Sequence, residues 1–137
     1  MPLRCFIQTQ APSPGTAAQP VHYPACEWVG DAGEVDLQHP FNRFVCSWLT
    51  SDMAEWQHCD EVLQVMAQIE GATRDAWFVD GDAFAVDLHA NAVQFNASHV
   101  GPEDTAYWHQ PDGRFTLSEV KALLLGWRDF LAASPQP

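Results

Sequence analysis

Apolar residues recur along the chain with two distinct periods. Phe41, Phe44, Val45, Trp48 and Leu49 fall at three- and four-residue steps, the spacing of one face of a short amphipathic helix. Met53, Trp56, Leu63, Met66 and Ile69 carry that period into a second helix, with Val62 and Val65 widening its apolar face. Asp52 is placed to cap the start of this helix and Gly71 to end it. The period then drops to two. Trp77-Phe78-Val79 leads into Asp80-Gly81, a dipeptide typical of tight hairpin turns. Phe84, Val86 and Leu88 alternate with Ala85, Asp87 and His89, and after a turn at Ala90-Asn91, Val93 and Phe95 alternate with Gln94 and Asn96. This pattern predicts a three-stranded antiparallel meander with one apolar and one polar face. A further short strand is expected at Tyr107-Trp108, closed by a turn at Pro111-Asp112-Gly113.

The last helix carries the clearest start signal. Thr116-Leu117-Ser118-Glu119 has the form of a capping box, and Phe115 and Val120 stand at hydrophobic-staple positions. Val120, Leu123, Leu124, Trp127 and Leu131 form one stripe, suited to the apolar face of the sheet. The front of the chain is less legible. Two extended stretches, Leu3 to Gln8 and Val21 to Val29, flank a loop near 11–20 rich in Pro and small residues. They read as a hairpin with a long loop, or as an arm that orders only against a partner. The tail at 134–137 is expected to fray. The fold class is therefore α+β: one domain over 1–137, an antiparallel β-meander with helices packed on one face.

Composition narrows the function. The 137 residues include 18 Asp and Glu against 6 Lys and Arg, a formal net charge of −12. Such an imbalance repels nucleic acid and anionic lipid, and it speeds capture of a basic surface by long-range steering. No apolar run approaches the ~20 residues of a membrane span, and the amino terminus lacks the pattern of a signal peptide, so a cytoplasmic location is expected. The four cysteines, Cys5, Cys26, Cys46 and Cys59, have no zinc-motif spacing and are expected to be reduced, buried and inert.

Enzyme signatures such as GxGxxG, GxxxxGK[ST], HExxH and GxSxG are missing from the sequence. Asp80-Gly81-Asp82 resembles an acidic metal-binding pair, but turn chemistry explains it. Asp87 and His89 share one strand face, yet no nucleophile at recognisable spacing completes a site. No catalytic residue, metal or cofactor is expected. The acids are more suggestive: Asp75, Asp80, Asp82 and Asp87 cluster around the first hairpin, while Glu103, Asp104 and Asp112 lie in the loops after the meander. With His89, they are the candidate partner-binding residues. Gln94, Asn96 and Ser98 are expected to extend a polar platform beside them.

One further pattern joins these elements. Trp77, Gly81-x-x-Phe84-x-Val86-x-Leu88, Val93-x-Phe95, Phe115-Thr116-Leu117-Ser118-Glu119 and Trp127-x-x-Phe130-Leu131 follow one another over roughly residues 40 to 132. This order resembles small acidic immunity proteins of bacterial polymorphic-toxin and contact-dependent growth-inhibition systems. It also resembles a family of small acidic bacterial proteins of unknown role. The first resemblance implies a non-enzymatic protein that forms a heterodimer with a basic toxin domain, often a nuclease, and neutralises it. A housekeeping adaptor of the same fold is the alternative reading, followed by a small hydrolase using Asp87 and His89 or Asp80 and Asp82.

Overall fold

The computed structural model describes residues 3–12, 14–15, 19–98, 103 and 108–133. Strands β1 (Leu3–Gln10) and β2 (Val21–Trp28) pair antiparallel as a two-stranded sheet. A π-helical turn, Phe41–Cys46, runs directly into α1 (Ser47–Asp52), and α2 (Trp56–Glu70) follows. Then β3 (Ala76–Asp80), β4 (Phe84–His89) and β5 (Val93–Ala97) form the expected meander. A 3-10 turn at Pro111–Gly113 leads to β6 (Arg114–Phe115), which pairs with β5, and α3 (Leu117–Ala133) completes the described chain. The α+β class holds.

The core lies between the inner face of the larger sheet and the helices. Val86, Leu88, Val93 and Phe95 are fully buried there with Trp48, Leu49, Met53, Met66, Leu124 and Trp127. Aromatic edge contacts knit the sheet to the first helical segment and brace the sheet itself: Phe95 meets Trp48 of α1 at 5.4 Å and Phe115 of β6 at 5.6 Å between ring centroids. Helices α2 and α3 pack on each other and run antiparallel, as their ion pairs record. Lys121 reaches Glu70 at 2.6 Å, whereas Arg128, about two turns further on, binds both oxygens of Asp60 at 2.8 and 3.1 Å. That bidentate contact holds the Arg128 pKa above its ordinary value.

Several helix ends follow the sequence signals and others do not. The capping box forms as read: Glu119 N–H donates to Thr116 Oγ1 at 3.1 Å, and Thr116 N–H to Glu119 Oε1 at 2.9 Å. Helix α2 starts at Trp56 instead of Met53, and Asp52 closes α1 without capping α2. Its buried face is Cys59, Val62, Met66 and Ile69, so Val62 is central and Leu63 is half-buried. The helix ends before Gly71 as expected, but the left-handed residue is Ala72, at φ 60°. Thr73 N–H to Gln68 O at 2.9 Å and Ala72 N–H to Ile69 O at 3.1 Å complete a Schellman motif around it.

The front hairpin resolves the choice left open by the sequence: β1 and β2 pair over their whole length, Leu3 opposite Trp28 and Gln10 opposite Val21. Buried Asn42 fixes its base, accepting from Trp28 N–H at 2.8 Å and donating to Trp28 O at 3.1 Å and Asp36 O at 2.9 Å. All four cysteines are free, and Cys26, Cys46 and Cys59 are buried. Burial, then the neighbouring Cys26 thiol, pushes Cys5 up to about 11. A hydrogen bond to Cys46, together with burial, raises Cys26, while burial pushes Cys59 to about 12. Thiols held protonated in this way are poor nucleophiles at neutral pH.

The short strand expected at Tyr107-Trp108 is not found at Trp108, which lies in a bend; Tyr107 is outside the described residues. The backbone partner of β5 is instead Arg114–Phe115, because the Pro111–Gly113 turn delivers those two residues opposite Gln94 and Val93.

Two stability measurements check this account. Ala72→Gly relieves the left-handed strain and is expected to stabilise the protein by about 0.5–1 kcal/mol in urea unfolding. Both Trp127 and Trp48 are fully buried, but only the Trp127 indole has a hydrogen-bond acceptor, Met53 O at 2.7 Å. Trp127→Phe should therefore cost about 0.5–1.5 kcal/mol more than Trp48→Phe, since it loses a buried hydrogen bond and leaves the Met53 carbonyl only the weak Cys59 thiol donor at 3.7 Å.

Candidate protein-binding edge of the sheet

Strand β3 is an edge of the larger sheet, whose order is β3-β4-β5-β6. The register with β4 sorts its side chains, because residues directly opposite share a face. Trp77 opposite Leu88 and Val79 opposite Val86 point toward the helices; Ala76 opposite His89, Phe78 opposite Asp87 and Asp80 opposite Ala85 point outward. Val79 is buried, but Trp77 and Phe78 keep 44% and 46% of their surface exposed, one on each face of the same strand. An edge strand that shows an aromatic ring on both faces is an unusual cost in water unless something covers it.

The inner side of this edge is a groove shared with α2. A cleft of about 170 Å³ is lined by Val62, Val65, Trp77 and Val79, with His58 and Glu61 at its rim. A second, of about 360 Å³, continues from His58 and Glu61 past Glu55 to Asp52. His58, Glu61 and Val65 recur at three- and four-residue steps, so α2 presents them as one stripe beside the strand, and Glu55, the residue just before the helix, extends it.

The turn at the end of the groove is built by Asp52. Its carboxylate accepts from Ala83 N–H at 2.9 Å and from Phe84 N–H at 2.9 Å. The connection is the three residues 81–83, and Gly81 does not take a left-handed conformation. Glycine is needed there for a different reason: a Cβ at Gly81 would lie 2.5 Å from Asp52 Oδ2. Ser98 seals the outer side, donating from its hydroxyl to Gly81 O at 2.6 Å.

The candidate residues divide accordingly. Asp75, Asp80 and Asp82 are exposed and lie at the two ends of β3 and in its turn. Asp87 is half-buried on the outer face opposite Phe78, and exposed His89 lies opposite Ala76. These five are gathered around one strand. Glu103 is exposed in a turn, Asp104 lies outside the described residues, and Asp112 is drawn elsewhere by Arg43 at 3.5 Å. The polar platform is smaller than expected, since Gln94 and Asn96 are buried. Residues 109–110 cover them: His109 N–H donates to Asn96 Oδ1 at 2.9 Å, and Gln94 Nε2 donates to Gln110 O at 3.0 Å. Asn96 also donates to Asp87 Oδ2 at 3.3 Å, so the Asp87 carboxylate is oriented by an amide and not by His89.

Sequence reasoning missed Glu55, His58, Glu61 and the aromatic pair Trp77 and Phe78. The polar stripe on α2 was the available signal for the first three. For Trp77 the signal was hidden, because a tryptophan in an apolar strand reads as core.

Charge pairing sharpens the surface. Arg4, Arg43, Lys121 and Arg128 are engaged with Glu27, Asp112, Glu70, Asp60 and Asp129. Among the described residues, Glu55, Glu61, Asp75, Asp80 and Asp82 form no ion pair with these cations. The nearby Arg74 stacks over Trp77 at 4.6 Å and donates to Gln68 at 2.8 Å. Among the described residues, no group of three or more His, Cys, Asp or Glu is arranged to hold a metal ion, and no helix is long and apolar enough to cross a membrane. Comparison with protein-family models, curated proteins and solved structures found no match.

The contact between Asp52 and Gly81 is testable by a double-mutant cycle. Asp52→Ala should destabilise by about 1–3 kcal/mol, through the two stranded N–H groups. Gly81→Ala should be damaging in the wild-type background and markedly less so in Asp52→Ala, since the clash is with that carboxylate. Equal costs in both backgrounds would refute the close approach.

Proposed function

We propose that this chain is a non-enzymatic binding protein that captures a basic protein partner on the β3–α2 surface. Its role is that of an inhibitor of a basic toxin domain, as the resemblance to small acidic immunity proteins implies. The observation that supports this reading is the placement, around two exposed aromatic rings, of carboxylates that form no ion pair among the described residues. Trp77 and Phe78 supply anchors of the kind that dominate binding energy, and acids rim them on the helix side, the outer side and both ends. Acids in that position steer a basic surface toward the anchors and accelerate its capture. They also mimic phosphate, the substrate group of a nuclease cleft.

Affinity capture from the source lysate, compared between two variants of equal charge, tests the reading. One variant removes the groove charges (Glu55→Gln, Glu61→Gln, Asp80→Asn, Asp82→Asn). The other removes as many charges away from it (Asp31→Asn, Glu34→Gln, Asp36→Asn, Asp129→Asn). The wild-type chain and the second variant should retain one dominant basic protein, with association slowing as salt rises. The groove variant should bind it at least tenfold more slowly at low salt. Equal capture by both variants, or no basic partner for the wild-type chain, would rule the proposal out.

A further inference from the structure

The backbone of β3 shows how such a partner is held. Gly81 N–H donates to Phe84 O at 2.9 Å, which makes Gly81 and Phe84 a hydrogen-bonded position of the β3–β4 ladder. Antiparallel pairing alternates, so the N–H and C=O groups of Val79 and Trp77 turn toward β4. Those of Asp80, Phe78 and Ala76 turn the other way, to the open edge. The next turn gives the same phase independently: His89 N–H donates to Ala92 O at 2.9 Å, so His89, Asp87 and Ala85 face β5 while Leu88 and Val86 face β3.

Among the described residues, no strand pairs with this edge. Nor does β3, Ala76–Asp80, carry the proline or lysine by which exposed edges are usually blunted. Its three outward residues offer donors and acceptors in a row, between two aromatic side chains.

We propose that the basic partner adds an extended segment to β3 as an extra strand of the sheet. This deepens the function proposed above and rests on the β3–α2 surface being the partner site. The added strand would run beside Ala76, Phe78 and Asp80 and pair with their backbone groups. Its side chains alternate between the two faces. On the inner side an apolar residue enters the cleft of about 170 Å³ between Trp77, Val79, Val62 and Val65. A lysine or arginine two positions along, ~7 Å away, comes beside Glu61 and Glu55. On the outer side, basic residues lie against Asp80, and a long lysine or arginine side chain beside Phe78 reaches across its ring toward Asp87 on β4. The segment so selected is extended, basic and interrupted by apolar residues; an acidic segment of the same shape is repelled from both faces.

The test uses the full chain, isotope-labelled, with the nine-residue capped peptide Val-Lys-Lys-Lys-Val-Lys-Lys-Lys-Val as probe, which alternates valine and lysine on one face and carries lysine on the other, and its valine–glutamate counterpart as control. Binding of the lysine peptide should shift the Trp77, Val65 and Glu61 signals. It should also slow amide exchange at Ala76, Phe78 and Asp80 at least tenfold, and the glutamate peptide should do neither. Phe78→Pro and Phe78→Ala both lose the ring, but only proline removes the outward donor, so Phe78→Pro should bind at least tenfold more weakly than Phe78→Ala. Shifts in the groove without slower exchange at those three amides would overturn strand addition and leave the surface as a side-chain docking site. Absence of groove shifts at millimolar lysine peptide would overturn both readings. If Phe78→Pro fails to fold, exchange in the unaltered chain decides alone.

Discussion

The corner between α1 and α2 is where the larger sheet and the last helix are tied to the rest of the molecule. A chain that leaves one helix and enters another abandons several carbonyls that no intrahelical N–H can reach. Here two neighbouring residues gather partners from three different elements. Asp52 takes the Ala83 and Phe84 N–H groups of the β3–β4 turn, and Met53 O takes the Trp127 indole of α3 at 2.7 Å. The Cys59 thiol of α2 donates to that same carbonyl at 3.7 Å. Satisfying the corner and assembling the core are thus one event, with a carboxylate, a carbonyl and a fully buried residue at its centre.

That junction also produces the surface argued to bind a partner. Asp52 holds the β3–β4 turn against the helical layer, which places β3 beside α2 and opens the groove between them. Most cations are spent on the structure's own seams: Arg128 and Lys121 on the α2–α3 interface, Arg4 on Glu27 of the neighbouring strand, and Arg43 on Asp112. With so few cations in the chain, Asp75, Asp80 and Asp82 along the β3 edge form no ion pair among the described residues. The same scarcity that gives the net charge of −12 therefore concentrates its effect where the apolar anchors are exposed.

How much of this was legible follows from the range of each interaction. The capping box at Thr116 and Glu119, the alternation of Phe84, Val86 and Leu88, and the stripe from Val120 to Leu131 are contacts within one element or between adjacent strands, and they form as read. Asp52 was misread because a capping residue and a long-range acceptor look alike in sequence. The local rule gave it to α2, while a turn about thirty residues away claimed the carboxylate. Gln94 and Asn96 were misplaced for a related reason: alternation shows that they face away from the core, but not that residues 109–110 return to cover them.

The sequence by itself determined the α+β class, the meander and its inner face, the last helix with its start signal, and a strongly acidic chain. Periodicity and capping act over a few residues, and charge is a sum that needs no coordinates. Only the tertiary structure decided which carboxylates are paired, which strand is the open edge, and that Trp77 overhangs the side of α2 instead of entering the core. Those are properties of neighbours brought together across the chain. A binding surface consists of what such neighbours leave uncovered, so no local pattern carries it.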